Sequence, residues 1–507
     1  MEEKIVIKTL KDTPFLSISL QSTLWNKTGT WRYLKPSYIT QKAPCSKACP
    51  IEQDISFYLT SLADGKPEEA WRRILESNPF PSICGRVCHH PCESDCNRKD
   101  YDEALAINAL ERFLGDWGMK HSPGNATGME RRKEQVAVIG SGPAGLSCAY
   151  FLARCGYGVT VFEAMKEPGG MLRYGIPKYR LPRNILNREI SRIKSLGVEI
   201  RTGKRLGADL GLEELKNFAA VFLATGAWAE QKPELPGDDL PGVWHGLSFL
   251  REVNAGKKIS LGKRVLVVGG GNTALDSARV ALRLGSKATV LYRREKADMP
   301  AIPDEIEEAA KEGVDFIFRA APVKILGKQK VQGVDALRTK PGKPDASGRR
   351  SPVLIPHSGF SLKGDSVILA VGERADLSFL PEGMRVGNGR IAIDSWGRTN
   401  LPGFFAGGDA ATGQGYVSQA IASGKKTASA IDRYLRGKAG DPEEDGREIV
   451  RLDKINLDYF THRKRTRISS RDLKPRAGSF AEVHLGLSPS GAKREAERCF
   501  SCGNCIQ

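Results

Sequence analysis

Nine of the eleven cysteines in this 507-residue sequence fall into two clusters. Cys45 and Cys49 precede Pro50, then Cys84, Cys88, Cys92 and Cys96 recur at every fourth position, and Cys499, Cys502 and Cys505 stand near the C-terminus. Clustered thiols in a chain whose start has no signal-peptide layout argue for metal or redox chemistry over disulfides. Thiolates at such intervals can converge on one or two iron–sulfur clusters. A structural zinc site uses the same donors, but downstream nucleotide motifs give electrons somewhere to go, which favours iron–sulfur. Six N-terminal cysteines do not divide into two four-ligand sites. Either one cluster leaves two thiols spare or two clusters recruit other ligands; His89 and His90 read as loop residues. The tail carries the first three cysteines of a C-x2-C-x2-C-x3-C-P ferredoxin run. It is a truncated motif, a motif completed by a partner, or a tail without a cluster. Cys148 and Cys155 read as packing residues.

Two glycine-rich turns carry the other chemistry. Gly140-Ser-Gly142-Pro143-Ala144-Gly145 follows an apolar strand, Val136–Ile139, and opens a helix. In such a turn the first glycine permits the bend, the second lets a pyrophosphate approach the backbone, and the third lets helix and strand pack. Glu163, at the end of the next strand, is placed to accept hydrogen bonds from a ribose diol. Gly408 and Asp409, before a second helix, suit another part of an extended ligand, which favours FAD over NAD. The second turn, Gly269-Gly-Gly271-Asn272-Thr273-Ala274, follows Val265–Val268, with alanine in the third position. Tyr292 stands where the acid would be, and Arg293 and Arg294 follow. Guanidinium groups bind a 2′-phosphate that a carboxylate would repel, so the second site reads as NADP(H) rather than NAD(H); the bland alternative is a solvated charge pair. Thr225 and Gly226 (LATG) and Gly372 (VILAVG) close further turns and are expected cofactor contacts. No GxSxG, HExxH or Walker sequence points to a hydrolase. Hydride exchange between two cofactors requires no catalytic side chain, and none is assigned.

These motifs need elements to hold them. The strand–turn–helix–strand pattern appears twice, predicting an α/β protein with two Rossmann-like dinucleotide-binding domains, one interrupting the other. A helical iron–sulfur domain precedes them. The expected organisation is an N-terminal extension over 1–40, the helical domain over 41–127, a first FAD-binding part over 128–245, an NADP-binding domain over 246–365, a second FAD-binding part over 366–440 and a C-terminal extension over 441–507. Lys120–Glu134 reads as a linker. Hydrophobic residues make up 40% and charged residues 27%, the balance of a globular protein with real cores. No apolar run approaches a membrane span, so a cytoplasmic protein is expected. The net charge of +18 would suit an acidic partner, but the basic residues are scattered and no nucleic-acid motif accompanies them.

In order along the chain, CGRVCHHPCESDC (84–96), VAVIGSGPAGLSCAY (136–150), EPGGMLRYGIPKYRLP (167–182), VVGGGNTALDSAR (267–279) and FFAGGDAATG (404–413) resemble the glutamate synthase small (beta) subunit family. That family includes the large subunit of NADH-dependent ferredoxin:NADP oxidoreductase and the N-terminal half of dihydropyrimidine dehydrogenase. RCFSCGNC (498–505) is similar to the ferredoxin tail of some members. The resemblance implies FAD in the first site, with Glu163 on its ribose, Gly170, Met171 and Arg173 near its phosphates or ring, Asp409 on the ribityl–phosphate region, and the helix after Gln414 approaching the isoalloxazine. It implies NADPH over Gly269–Ala274 with Arg293 and Arg294 at the 2′-phosphate, and electrons passing through FAD to N-terminal 4Fe-4S clusters. Members with two such clusters use an acidic or amide ligand, which falls near Glu111 here. This chain departs from the pattern by lacking a second cysteine pair before Cys45 and by carrying Cys84. The implied activity is that of an oxidoreductase subunit passing electrons between NADPH and a redox partner or ferredoxin-like acceptor, within a hetero-oligomer. A wiring or scaffold subunit without catalysis of its own, or a bifurcating ferredoxin:NADP oxidoreductase subunit, are the alternatives. No amidotransferase or synthase barrel is present, so forming glutamate would need a separate subunit.

Overall fold

The computed structural model describes residues 38–121, 131–345, 348–413, 415–438, 440–441 and 445–506. The expected extension over 1–40 lies almost wholly outside these residues, as do Gln414 and most of the 120–134 linker. Among the described residues no helix is long and apolar enough to cross a membrane.

Short helices build the N-terminal domain: Pro44–Ala48, Ile55–Ala63, Pro67–Leu75, Pro81–Val87, Pro91–Ser94 and Ile107–His121. Five of them carry proline in the first turn or are capped by Asp54, where a missing N–H costs no helical hydrogen bond. Each is therefore started abruptly, and the cysteines sit at the breaks. The apolar core of this domain runs without interruption into that of the first nucleotide domain. The Tyr150 hydroxyl donates to Leu75 O at 2.8 Å, and Glu189 Oε1 accepts from Ser82 N at 2.9 Å across the same seam.

Two five-stranded parallel sheets follow. The first has the order Phe404–Ala406, Ala220–Leu223, Gln135–Ile139, Gly158–Glu163, Glu199–Thr202. Its central strands are apolar and buried on both faces, as helix-covered parallel strands must be. The helices Pro143–Arg154 and Val417–Leu435 pack against each other so closely that a Cβ on Gly424 would meet Ala144 O at 2.1 Å. The second sheet has the order Asp315–Phe318, Lys287–Tyr292, Arg264–Val268, Ser366–Leu369, Val243–His245, with a separate core.

The second sheet corrects the expected domain limits. Val243–His245 and Ser366–Leu369 pair with each other, Val367 opposite Val243, and both belong to the inserted domain. Limits at 246 and 365 remove its edge strand and the whole of its fourth. The physical reason is that a short parallel edge strand has no sequence pattern of its own; only its partner identifies it. The insertion also carries an antiparallel sheet from Ala320–Gly327, Val331–Pro344, Arg350–Leu354 and Phe360–Lys363, which the sequence reading left undivided.

The C-terminal region is not an appendage. Val483 enters the core of the inserted domain, and Arg476 pairs there with Glu308 at 2.6 Å. Ala492 and Ala496 enter the N-terminal core. Asn504–Ile506 then forms an antiparallel pair with Tyr38–Thr40.

Candidate functional site

The two glycine turns superimpose in their steric logic. Gly140 has φ +105° and Gly269 φ +142°, and a Cβ on either would strike a carbonyl of a crossing strand, Ala224 O at 2.4 Å and Ala370 O at 2.2 Å. The second glycines behave oppositely: a Cβ on Gly142 or Gly271 would meet nothing within 4 Å. Each therefore leaves an open place at the N-terminus of a twelve-residue helix, Pro143–Arg154 and Asn272–Arg283, where unpaired N–H groups and the helix dipole favour phosphate. At the third position Gly145 is obligatory, since a Cβ would lie 1.9 Å from Gly140 O, whereas Ala274 is fully buried without conflict.

The first turn opens on a cavity of about 500 Å³, within the range of a cofactor site. Gly140, Gly142, Pro143, Ala144, Glu163, Gly170, Met171, Thr225, Gly226, Gly408 and Asp409 all line it. The Thr225 hydroxyl there is buried with no partner among the described residues. The Glu163 carboxylate accepts from Ser141 N at 2.9 Å, from the Ser141 hydroxyl and from Met165 N at 2.8 Å, so it shapes the turn while keeping lone pairs for a ribose. Burial raises the Asp409 carboxyl, although Gly415 N donates to it at 3.0 Å. These features fit FAD. Arg173 departs from expectation: its guanidinium donates to Pro168 O at 2.6 Å and to Asn187 Oδ1, bracing the Gly169–Gly170 loop instead of facing the cavity. Lys204 and Arg205, which the sequence reading missed, do line it; their signal was a basic pair directly after the third parallel strand.

At the second turn Asn272 Oδ1 accepts from Ile302 N at 3.0 Å and Thr273 Oγ1 donates to Glu373 Oε1 at 3.0 Å. Both side chains thus hold the turn itself. Gly372 O accepts from Gln231 N at 2.9 Å in the crossover between the domains. The paired arginines separate. Arg294 is spent, donating to Asp345 Oδ2 at 2.6 Å and to Arg350 O at 2.8 Å. Arg293 is exposed, and its guanidinium pairs with no described residue.

The cysteines sort into two cavities. Cys49, Cys84, Cys88 and Cys92 line one with Glu111 and Tyr58; Cys45, Cys96, Cys499 and Cys502 line the other. None of the cysteines whose side chains are described is in a disulfide, and among the described residues no three His, Cys, Asp or Glu side chains meet closely enough to hold a single metal ion. The sulfurs instead ring a void. N–H groups point at them: His90 N to Cys88 Sγ at 3.3 Å, Ser501 N to Cys499 Sγ at 3.4 Å, Asn97 Nδ2 to Cys502 Sγ at 3.5 Å. Burial pushes the Cys45, Cys49, Cys92 and Cys96 thiols up, and those of Cys88 and Cys499 up to about 12. Bound iron reverses that bias, since a coordinating thiol is deprotonated outright. The Tyr58 hydroxyl is buried there without a partner among the described residues. These donors fit 4Fe-4S clusters. Cys84 differs, its Sγ donating at 3.8 Å to Asn78 Oδ1. Glu111 Oε1 accepts from Gln53 Nε2 at 2.8 Å and Asn78 Nδ2 at 2.7 Å, and burial raises its carboxyl to about 7.

Residues 134–426 match the pyridine nucleotide-disulphide oxidoreductase family. The chain belongs to that family. Residues 38–123 match dihydropyrimidine dehydrogenase domain II, a 4Fe-4S cluster domain. This pyridine nucleotide-disulphide oxidoreductase thus combines FAD and NADP(H) binding with iron–sulfur chemistry. It is 41% identical to the NADP(+)-dependent formate dehydrogenase subunit beta of Moorella thermoacetica, over 91% of this chain and 70% of that one. It is 38% identical to the NADPH-Fe(3+) oxidoreductase subunit beta of Geobacter sulfurreducens, over 91% and 75%. The NADPH glutamate synthase small chain of Escherichia coli K12 is 34% identical over 77% and 88%. Among solved structures, Mycobacterium tuberculosis FprA in complex with NADPH shares the fold, with a TM-score of 0.52 at 21% identity over 60% of this chain and 85% of that one.

Proposed function

We propose that this chain is the electron-transfer subunit of a larger complex, linking NADPH through FAD and 4Fe-4S clusters to a partner subunit, in either direction. The observation that carries it is a continuous row of sites sharing structural elements. Ala420 lines the flavin cavity, while Ser418, two residues earlier on the same helix, lines the Glu111 cluster cavity. Ile107 lines both cluster cavities, and Cys45 and Cys49 stand at the two ends of one short helix, Pro44–Ala48. The names of the relatives support the assembly, since two of them are beta subunits. Cysteines kept for metal and not for disulfides suit a reducing compartment such as the cytoplasm.

Bound in these sites, the nicotinamide and flavin supply hydride exchange and the clusters supply one-electron steps. The chain's own residues position them. Gly142 and Gly271 admit the two pyrophosphates, Glu163 and Asp409 hold the extended FAD, and Arg293 takes the 2′-phosphate. Cys49, Cys88, Cys92 and Glu111 would hold the cluster nearer the flavin, because the Cys84 thiol proton is committed to Asn78. Anaerobic reconstitution of the purified chain tests the reading. Stoichiometric flavin, bleached by NADPH faster than by NADH and followed by loss of cluster absorbance, is expected. Protein without flavin, or flavin that NADPH leaves oxidised, refutes it; co-purification from the native cell identifies the partner.

A further inference from the structure

We infer that Cys499 and Cys502 are not the opening of a separate ferredoxin centre, but the second half of a cluster site whose first half is Cys45 and Cys96. The inference rests on the wiring role above and specifies which thiols build its second centre. All four cysteines line one small cavity with Asn97, and four thiolates are the full ligand complement of a 4Fe-4S cluster.

The tail is built to reach this place. Thr40 lies opposite Asn504 in the antiparallel pair, and Gln41 N donates to Gly503 O at 2.9 Å. Gly503 has φ +98°, and a Cβ there would lie 2.5 Å from Gln41 O. The tail thus lies directly on the segment leading into Cys45. The Thr60 and Ser501 hydroxyls meet at 2.9 Å. Beneath them two fully buried guanidinium groups lock the segments: Arg98 donates to Arg498 O at 2.7 Å, and Arg498 reaches Asp102 Oδ1 at 2.9 Å and Glu495 Oε1 at 2.7 Å. A buried charge is retained only where such partners satisfy it, so Arg498 fixes Cys499 in place. Asn97, the neighbour of Cys96, donates to Cys502 Sγ across a sequence separation of 405 residues.

This pairing resolves the ligand shortage. The cysteine pair missing before Cys45 is supplied from the other end of the chain. The Glu111 cavity keeps its own set, in which the Cys84 thiol is committed to Asn78.

Iron and acid-labile sulfide per FAD in anaerobically reconstituted full-length protein decide it. The unmodified protein should hold about eight irons, as two 4Fe-4S clusters do. Cys499→Ser/Cys502→Ser should hold about four irons, one cluster's worth, and lose one signal from the reduced electron paramagnetic resonance spectrum. Cys45→Ser/Cys96→Ser should match it, and the quadruple variant should lose no more than either pair. Cys505→Ser should keep the full iron content. Tail variants with unchanged iron, a quadruple variant losing twice as much as either pair, or loss on Cys505→Ser would overturn the assignment. Where a variant loses flavin as well, unmodified protein decides: reconstitution should shield Cys45, Cys96, Cys499 and Cys502 from alkylation together, and labelling of Cys499 and Cys502 at the same rate before and after reconstitution contradicts the site. Flavin bleaching by NADPH reports on the wiring role separately.

Discussion

Replacing the two neighbouring arginines one at a time should give unequal losses of NADPH selectivity. Arg293 is exposed and its guanidinium pairs with no described residue, so its full donor set is available to a 2′-phosphate. A hydrogen bond to a charged group contributes about 1.5–3 kcal/mol, and tenfold corresponds to about 1.4 kcal/mol. Arg293→Ala should therefore weaken NADPH binding by about 10- to 100-fold and leave NADH almost untouched. Arg294 is already held by Asp345 and Arg350 O, so Arg294→Ala should cost NADPH under about fivefold, the loss of a local brace worth under about 1 kcal/mol. The assay is anaerobic stopped-flow reduction of the flavin against nucleotide concentration, for both nucleotides and both variants. A larger NADPH-specific loss in Arg294→Ala than in Arg293→Ala refutes the reasoning, as does an equal loss for NADH.

Gly142→Ala should fold normally, because φ is −69° and a Cβ meets nothing, yet purify with little flavin; Gly140→Ala should compromise folding itself. Flavin content and thermal melting separate the two. Cys84→Ala should retain the iron that Cys88→Ser loses, measured per FAD. Glu312 gives a pH signature: despite burial, Arg283 and Arg279 hold its carboxyl down at about 2, below its ordinary value of 4.5. A depressed carboxylate contributes stability present above the unfolded value and lost as pH falls through the folded one. Its contribution, at most about 3 kcal/mol from the shift, should disappear between about pH 4.5 and 2, and Glu312→Gln should flatten the denaturation midpoint over that window.

Both nucleotide turns were legible because their logic is local: strand, glycines and helix lie within about twenty residues, and the steric reasons act inside that window. The cysteines announced metal chemistry for the same reason. Their partition was not legible, because Cys45 and Cys49 stand one helical turn apart and face different cavities. Arg294 could not be told from Arg293 because Asp345, 51 residues away, neutralises only one of them. The resemblance puts Arg173 near the phosphates or ring of FAD, but Pro168 O and Asn187 claim it. The tail's destination depends on strand pairing across the whole chain, which no local pattern records.

The insertion of one nucleotide domain inside the other has a consequence for the order in which the protein assembles on the ribosome. Phe404–Ala406 must pair with Ala220–Leu223, about 180 residues earlier, to complete the first sheet. The inserted sheet sets Val243 beside Val367, so once it has folded the open chain between the two halves shortens to about 55 residues. Since closure entropy grows as (3/2)RT ln n, that shortening removes about 1 kcal/mol from the closure cost. The nicotinamide domain thus acts as an internal clamp during synthesis, and a destabilised insertion should delay flavin uptake by a domain it does not belong to.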